Sequence, residues 1–192
     1  MCPDFWHGES EKCLLAKKIY GNASPKLITI SRLDGRKSHH NVIMTVKNLL
    51  PKYPSLKYVS IGDGDEGNNL LKLRKTLGLE KNVEFIFNST EQEKAALLEQ
   101  SNIFVMPSVI YKKSVEGFGI VFIEAAQHGI PSIGGRDGGA SDAIIHEKTG
   151  LICDGNKLED VVLNLIKSGI TTKDIGGEKS TEEFTKEITS RL

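Results

Sequence analysis

Glu116 and Glu124 stand eight positions apart around a Gly-x-Gly turn, in the segment Glu116-Gly-Phe-Gly-Ile-Val-Phe-Ile-Glu124. Glu116 precedes two glycines that free the backbone, and Glu124 lies on an apolar run that reads as the opening of a helix. Bare amides, a helix N-terminus and two carboxylates that accept from hydroxyls together suit a phosphorylated sugar. The plainer alternative makes Glu116 a solvated loop residue and Glu124 an exposed helix residue. Against it, Val121, Phe122, Ile123, Ala125 and Ala126 flank Glu124 and predict partial burial, where an unpaired charge is costly. A ribose diol would satisfy such a carboxylate. A hydrolase acid and nucleophile would need carboxyls ~5–9.5 Å apart, and a loop-then-helix setting at the end of a parallel sheet disfavours that reading.

Other chemistry-bearing residues sit in loops. In Ser31-Arg-Leu-Asp-Gly-Arg-Lys37, Arg32 and Lys37 either converge on one anion, as fork and point charge, or are two solvated loop charges. Gly62-Asp-Gly-Asp-Glu66 either lets a nucleotide approach the backbone or is a tight turn before the next helix. It lacks the position of a dinucleotide fingerprint. His39 and His40 read as surface residues near a helix start, with no Cys or acidic partner at ligand spacing, so no metal site is expected. Gly134-Gly-Arg-Asp-Gly-Gly-Ala-Ser-Asp142 reads as a flexible loop lining a cleft, with Asp142 as the N-cap of the following helix.

These loops need a scaffold, and the hydrophobic pattern supplies one. Leu27–Ile30, Tyr58–Ile61, Val83–Phe87, Ile103–Met106, Pro131–Ile133 and Leu151–Cys153 are short strand-like runs. Between them lie segments with helical spacing: Val42 to Leu50, Leu70 to Leu77, Glu91 to Gln100, the stretch after Glu116, and Leu158 to Ile166. Such alternation predicts an α/β, three-layer Rossmann-like domain: a mostly parallel sheet of about six strands with helices on both faces. Ligands of such sheets bind at the carboxyl ends of the strands, where all the loops above fall. The predicted domain spans residues 26–168. Residues 1–25 read as an interdomain linker, and 169–192 as a polar linker followed by a helix with Phe184, Ile188 and Leu192 on one stripe.

Composition narrows the function. The chain has 192 residues with 25 Lys and Arg against 25 Asp and Glu, enough for one domain and without the basic field that holds nucleic acid. Cys2, Cys13 and Cys153 are an odd number without metal spacing, which fits a reducing cytoplasm, with Cys153 a small buried apolar residue. Pro3, Asp4, His7 and Glu9 interrupt the place where a secretory signal would need an apolar core. Peripheral contact with the inner membrane surface remains compatible with this composition.

From about Lys26 to Ile166 the chain resembles the C-terminal half of retaining GT-B glycosyltransferases of the group 1 kind. The resemblance is carried by Ser-Arg-Leu-Asp-Gly-Arg-Lys, Ile-Gly-Asp-Gly-Asp-Glu, Asn-Val-Glu-Phe, Val-Met-Pro-Ser, Glu-Gly-Phe-Gly-Ile-Val-Phe-Ile-Glu-Ala and His-Glu-Lys-Thr-Gly-Leu, in that order. It implies that Arg32 and Lys37 hold the diphosphate of an NDP-sugar donor (UDP-, GDP- or ADP-linked), that Glu116 contacts the sugar, and that Glu124 binds the ribose. Gly62 and the turn Gly117, Phe118, Gly119 and Ile120 complete the implied donor site, with Arg32, Lys37 and Glu116 as its catalytic groups. Retaining transfer without a cofactor or bound metal follows, the two cations stabilising the leaving diphosphate. Single substitution of Arg32 or Lys37 is expected to weaken phosphate binding with the fold intact. Ser38 stands where the family commonly has Gly, and Ala140-Ser-Asp142 replaces its usual Pro-Glu. The resemblance also implies a separate N-terminal Rossmann-like domain for the acceptor, so this chain alone is expected to be inactive. A non-catalytic nucleotide-sugar-binding subunit is the alternative. A signalling receiver would need a second acidic loop beside Asp63 and Asp65, and an epimerase of the same two-domain architecture is a further rival.

Overall fold

The computed structural model describes residues 11–154 and 157–167. In it the alternating pattern becomes one six-stranded, wholly parallel sheet in the order β3-β2-β1-β4-β5-β6. The strands are β1 (Lys26–Ile30), β2 (Lys57–Ile61), β3 (Val83–Ile86), β4 (Ile103–Met106), β5 (Ser132–Gly135) and β6 (Gly150–Cys153). The helices are α1 (Glu11–Tyr20), α2 (His39–Leu49), α3 (Gly67–Thr76), α4 (Glu91–Glu99), α5 (Ile120–Gln127), α6 (Ala140–Ala143) and α7 (Leu158–Lys167), with a 3-10 turn at Gly35–Lys37.

Successive side chains of each strand enter opposite faces, which creates two cores. Leu27, Tyr58, Ile103 and Val105 pack with Val42, Val46, Leu70, Val162 and Leu165 of α2, α3 and α7. Ile28, Val59, Phe104 and Met106 pack with Ala16, Tyr20, Leu97, Phe122 and Ala143 of α1, α4, α5 and α6. The α/β three-layer expectation is met.

The ends of several elements follow local chemistry. Thr90 accepts from Glu93 N at 3.2 Å while Thr90 N donates to Glu93 Oε2 at 2.7 Å, a capping box that starts α4. Gly78 takes a φ of 66° just past α3, the left-handed closure glycine provides.

Residues 11–20, within the stretch read as a linker, form α1 instead. Its Tyr20 is buried and shares a 2.7 Å hydrogen bond with Ser101 after α4, so tertiary packing orders a segment whose apolar spacing is weak. Residues 169–192, with the stripe at Phe184, Ile188 and Leu192, lie outside the described residues, as does Cys2. Cys153 is buried, and burial pushes its thiol up to about 11.

Strand order reverses between β1 and β4, the topological switch point at which open parallel sheets form a crevice. The loops after these two strands carry Arg32 to Lys37 and Ser108 to Gly119. Topology alone thus brings the two most chemistry-rich segments together.

Candidate functional site

Asp34 builds the β1 loop. Its carboxylate accepts from Arg36 N at 3.1 Å and Lys37 N at 3.3 Å, capping the short 3-10 turn. The turn sends Lys37 inward, where its Nζ meets Glu116 Oε2 at 2.5 Å. The lysine and glutamate side chains are only 9% and 8% exposed, so two opposite charges compensate each other across the switch point. Ser108 donates to the same carboxylate oxygen at 3.1 Å, and Met106 Sδ lies 3.4 Å from the ammonium. Ser38 then adopts φ 59°, the left-handed conformation that glycine would take without strain.

Arg32 goes elsewhere. Its side chain is 78% exposed and donates to Asp34 Oδ2 at 3.3 Å. It stands at the rim of an open cleft of about 600 Å³ whose lining includes Ser31, Gly62, Phe87, Ser89 and Thr90. This cleft covers the carboxyl ends of β1, β2 and β3 and the start of α4. Arg32 and Lys37 thus have different settings, one 78% exposed and the other 9% exposed. Arg32 faces the cleft with Gly62, while Lys37 lies inside with Glu116.

Gly62 takes φ 136°, and a Cβ there would come within 2.0 Å of Ser31 O, so only glycine allows the β1 and β2 loops to touch. Gly119, at φ 73°, opens α5, where the first amides have no intrahelical acceptor. A Cβ on Gly117 would meet nothing within 4 Å, which leaves room for a ligand. Phe118 and Ile120 are exposed.

Glu124 contradicts its expected burial. Helix α5 turns Phe122, Ala125 and Ala126 into the core, which leaves position 124 on the exposed side. The polar-in-apolar sequence context misled because all-round hydrophobicity conceals which face is buried. The Glu124 carboxylate is exposed to solvent.

The segment read as a flexible cleft lining is a backing wall. Glycine-to-backbone contacts hold Glu116 from behind: Gly139 N donates to Gly117 O at 3.1 Å, and a Cβ on Gly138 would come within 2.4 Å of Glu116 O. Asp142 is not the cap. Gly139 occupies that place, and Asp142 lies exposed within α6.

His39, read as a surface residue, is buried at 2% exposure. Its Nε2 lies 3.2 Å from Arg32 O and 3.1 Å from Ser31 Oγ, while Nδ1 lies 3.2 Å from Tyr58 OH and 3.3 Å from Ser60 Oγ. A carbonyl only accepts, so Nε2 carries the proton of the neutral ring. Burial pushes its pKa down to about 4, which keeps it neutral near pH 7. The ring thus ties the β1 loop to β2. One signal was available: His39 begins the buried stripe 39, 42, 43, 46 of α2. Among the described residues no group of three His, Cys, Asp or Glu side chains is placed to hold a metal ion.

A doubly wound parallel sheet with a charged pair at its switch point and an open cleft beside it defines an α/β ligand-binding domain. The chain belongs to the family "Glycosyl transferases group 1", whose model matches residues 16–181. The match extends the segment recognised from its motifs to include the second half of α1.

It is 31% identical over 149 residues to a GDP-mannose-dependent alpha-(1-6)-phosphatidylinositol monomannoside mannosyltransferase of Mycobacterium tuberculosis, covering 77% of this chain and 39% of that protein. It is 30% identical over 179 residues to the N-acetyl-alpha-D-glucosaminyl L-malate synthase of Bacillus anthracis, covering 91% and 45%. The chain thus spans less than half the length of these curated relatives. The crystal structure of the C-terminal domain of a group 1 glycosyl transferase from Francisella tularensis superposes with a TM-score of 0.73 at 22% identity, covering 96% of this chain and 93% of that one. Anabaena HepE in complex with UDP-glucose gives 0.69 at 19%, covering 96% and 53%. These structures share the fold.

Proposed function

We propose that this chain is the nucleotide-sugar donor-binding half of a retaining glycosyltransferase, moving a glycosyl group from an NDP-sugar to an acceptor without a bound metal. The buried Lys37–Glu116 pair at the switch point, beside a cleft of about 600 Å³, carries the reading. The nucleoside occupies that cleft, with the base over the ends of β2 and β3 and the diphosphate running toward β1. Arg32 meets it from the rim. Lys37, already held by Glu116, shares its ammonium with the arriving phosphate, while Glu116 turns its spare acceptor capacity to sugar hydroxyls. The amides of Phe118 to Ile120, in the turn that leads into α5, add fixed dipoles on the same side.

As the glycosidic bond breaks, negative charge grows on the diphosphate. Preorganised cations stabilise that charge more than the ground state, which is how they accelerate the step. The transfer itself needs a second wall to position the acceptor, supplied by a partner N-terminal domain, so the chain alone transfers poorly. The setting proposed is the cytoplasm, at the inner membrane surface. Among the described residues no helix is long and apolar enough to cross a membrane.

Glu124 tests the ribose assignment. Glu124→Ala is expected to weaken nucleoside diphosphate binding by about 1.5–3 kcal/mol, the size of charge-assisted hydrogen bonds, and to leave pyrophosphate binding unchanged. Titration calorimetry with both ligands measures this, and equal loss for pyrophosphate would remove the ribose role.

A further inference from the structure

Five of the eight large hydrophobic side chains exposed among the described residues fall within eleven positions: Ile110, Tyr111, Val115, Phe118 and Ile120. Lys112 and Lys113 stand among them, both exposed. The two lysines are the central residues of a tight hairpin. Tyr111 N donates to Ser114 O at 3.0 Å, and Ser114 N donates to Tyr111 O at 2.8 Å. Their φ values are 46° and 64°. Positive φ at both central positions is the arrangement Asn-Gly fills at little cost, whereas each lysine is disfavoured there. Turn chemistry therefore does not account for a Lys-Lys tip.

The hairpin is firmly seated. Arg36 Nη1 donates to Val115 O at 2.7 Å, Val109 N donates to Arg36 O at 2.9 Å, and Ile110 N donates to Asp137 Oδ2 at 3.3 Å. The Tyr111 ring covers Gly35, where a Cβ would approach it within 2.8 Å. This seat lies on the β4 side of the switch point, across β1 from the nucleoside cleft. On the donor reading above, that is the side from which an acceptor meets the sugar.

We propose that the hairpin 109–115 docks the domain on an anionic lipid surface. Lys113 is exposed on an apolar ridge and the exposed Lys112 holds its Nζ 5.1 Å from the Tyr111 ring centroid, so two cations meet headgroup phosphates at the surface while Ile110 and Val115 enter the boundary with the acyl chains. The chain is balanced at 25 Lys and Arg to 25 Asp and Glu, so the attraction is local and does not arise from net charge. Docking here would present a lipid-borne acceptor hydroxyl to the donor sugar. That last step rests on the donor reading, whereas lipid docking does not.

The test is sedimentation of the whole chain with phosphatidylcholine vesicles, with and without phosphatidylglycerol. Binding is expected only to the anionic vesicles. Lys112→Asn with Lys113→Gly should weaken it roughly twenty-five-fold, taking each lysine near an anionic surface as about fivefold, while the melting temperature holds or rises because the turn is relieved. Ile110→Ser should weaken it severalfold. Nucleoside diphosphate titration should be the same for all these chains. Vesicle binding without any nucleotide binding would sustain docking and remove the donor reading. No binding of the unaltered chain to anionic vesicles, or binding that survives the double substitution, would overturn the proposal. So would competition by free glycerol phosphate, which would reveal a soluble-anion site, or pairing of chains through the hairpin.

Discussion

Lys37→Ala is expected to destabilise the domain by about 3–5 kcal/mol, because it strands the Glu116 carboxylate in a buried site with Ser108 as its remaining polar neighbour. For a chain of this size each kcal/mol moves the melting temperature by about 2–4 °C, so a shift of roughly 10 °C is the expected reading. The sequence-based expectation that the substitution leaves the fold intact took no account of this buried pairing. Replacing both partners, Lys37→Met with Glu116→Gln, removes the uncompensated charge, and most of the lost stability should return. Donor binding should not return, since the phosphate and sugar contacts are both gone. A double-mutant cycle read by thermal denaturation separates the two effects. Near-additive losses would mean that the pair does not couple the loops of β1 and β4.

His39 supplies the second large effect. Its imidazole resists protonation down to about pH 4 in the folded chain but titrates near 6.5 when unfolded. Between these values the unfolded chain binds more protons, so the stability contributed is complete above about pH 6.5 and is lost as the pH falls toward 4. The loss amounts to about 3 kcal/mol across that window, at about 1.4 kcal/mol per pKa unit. His39→Gln keeps a donor for Arg32 O without the titrating ring. Urea denaturation of both chains from pH 7 to pH 4 should give curves that differ at neutral pH and converge under acid. Parallel curves would show that His39 does not titrate with unfolding.

The scaffold was legible because its elements announce themselves locally. Runs such as Leu27–Ile30 and Ile103–Met106 have no charge and no helical period, and the loops between them carry the turn residues. The alternation of strands and helices predicted that the loops with Arg32, Gly62 and the Gly117–Ile120 turn lie at the carboxyl edge of the sheet, and there they lie. What stayed hidden was pairing over distance. Lys37 and Glu116 are 79 residues apart, and nothing in either loop says that each is the other's counter-ion. Burial was misjudged where the neighbours were ambiguous: Glu124 sits in an apolar run yet faces outward, and His39 sits beside a polar loop yet faces inward. Helix α1 escaped notice because its order comes from Ala16 and Tyr20 packing in the core. The role of Gly138 and Gly139 as a wall behind Glu116 likewise depends on a contact between two loops.

Titration calorimetry of the chain with UDP, GDP and ADP, with and without EDTA, tests donor binding most directly, run beside Arg32→Ala. Arg32 is exposed, so its loss should leave the fold untouched and remove a charge-assisted contact worth about 1.5–3 kcal/mol. Saturable binding of one nucleotide, indifferent to EDTA and weakened at least tenfold in Arg32→Ala, is the expected result. Equal affinity in the two chains, or binding that EDTA abolishes, would contradict a metal-free diphosphate site at the switch point.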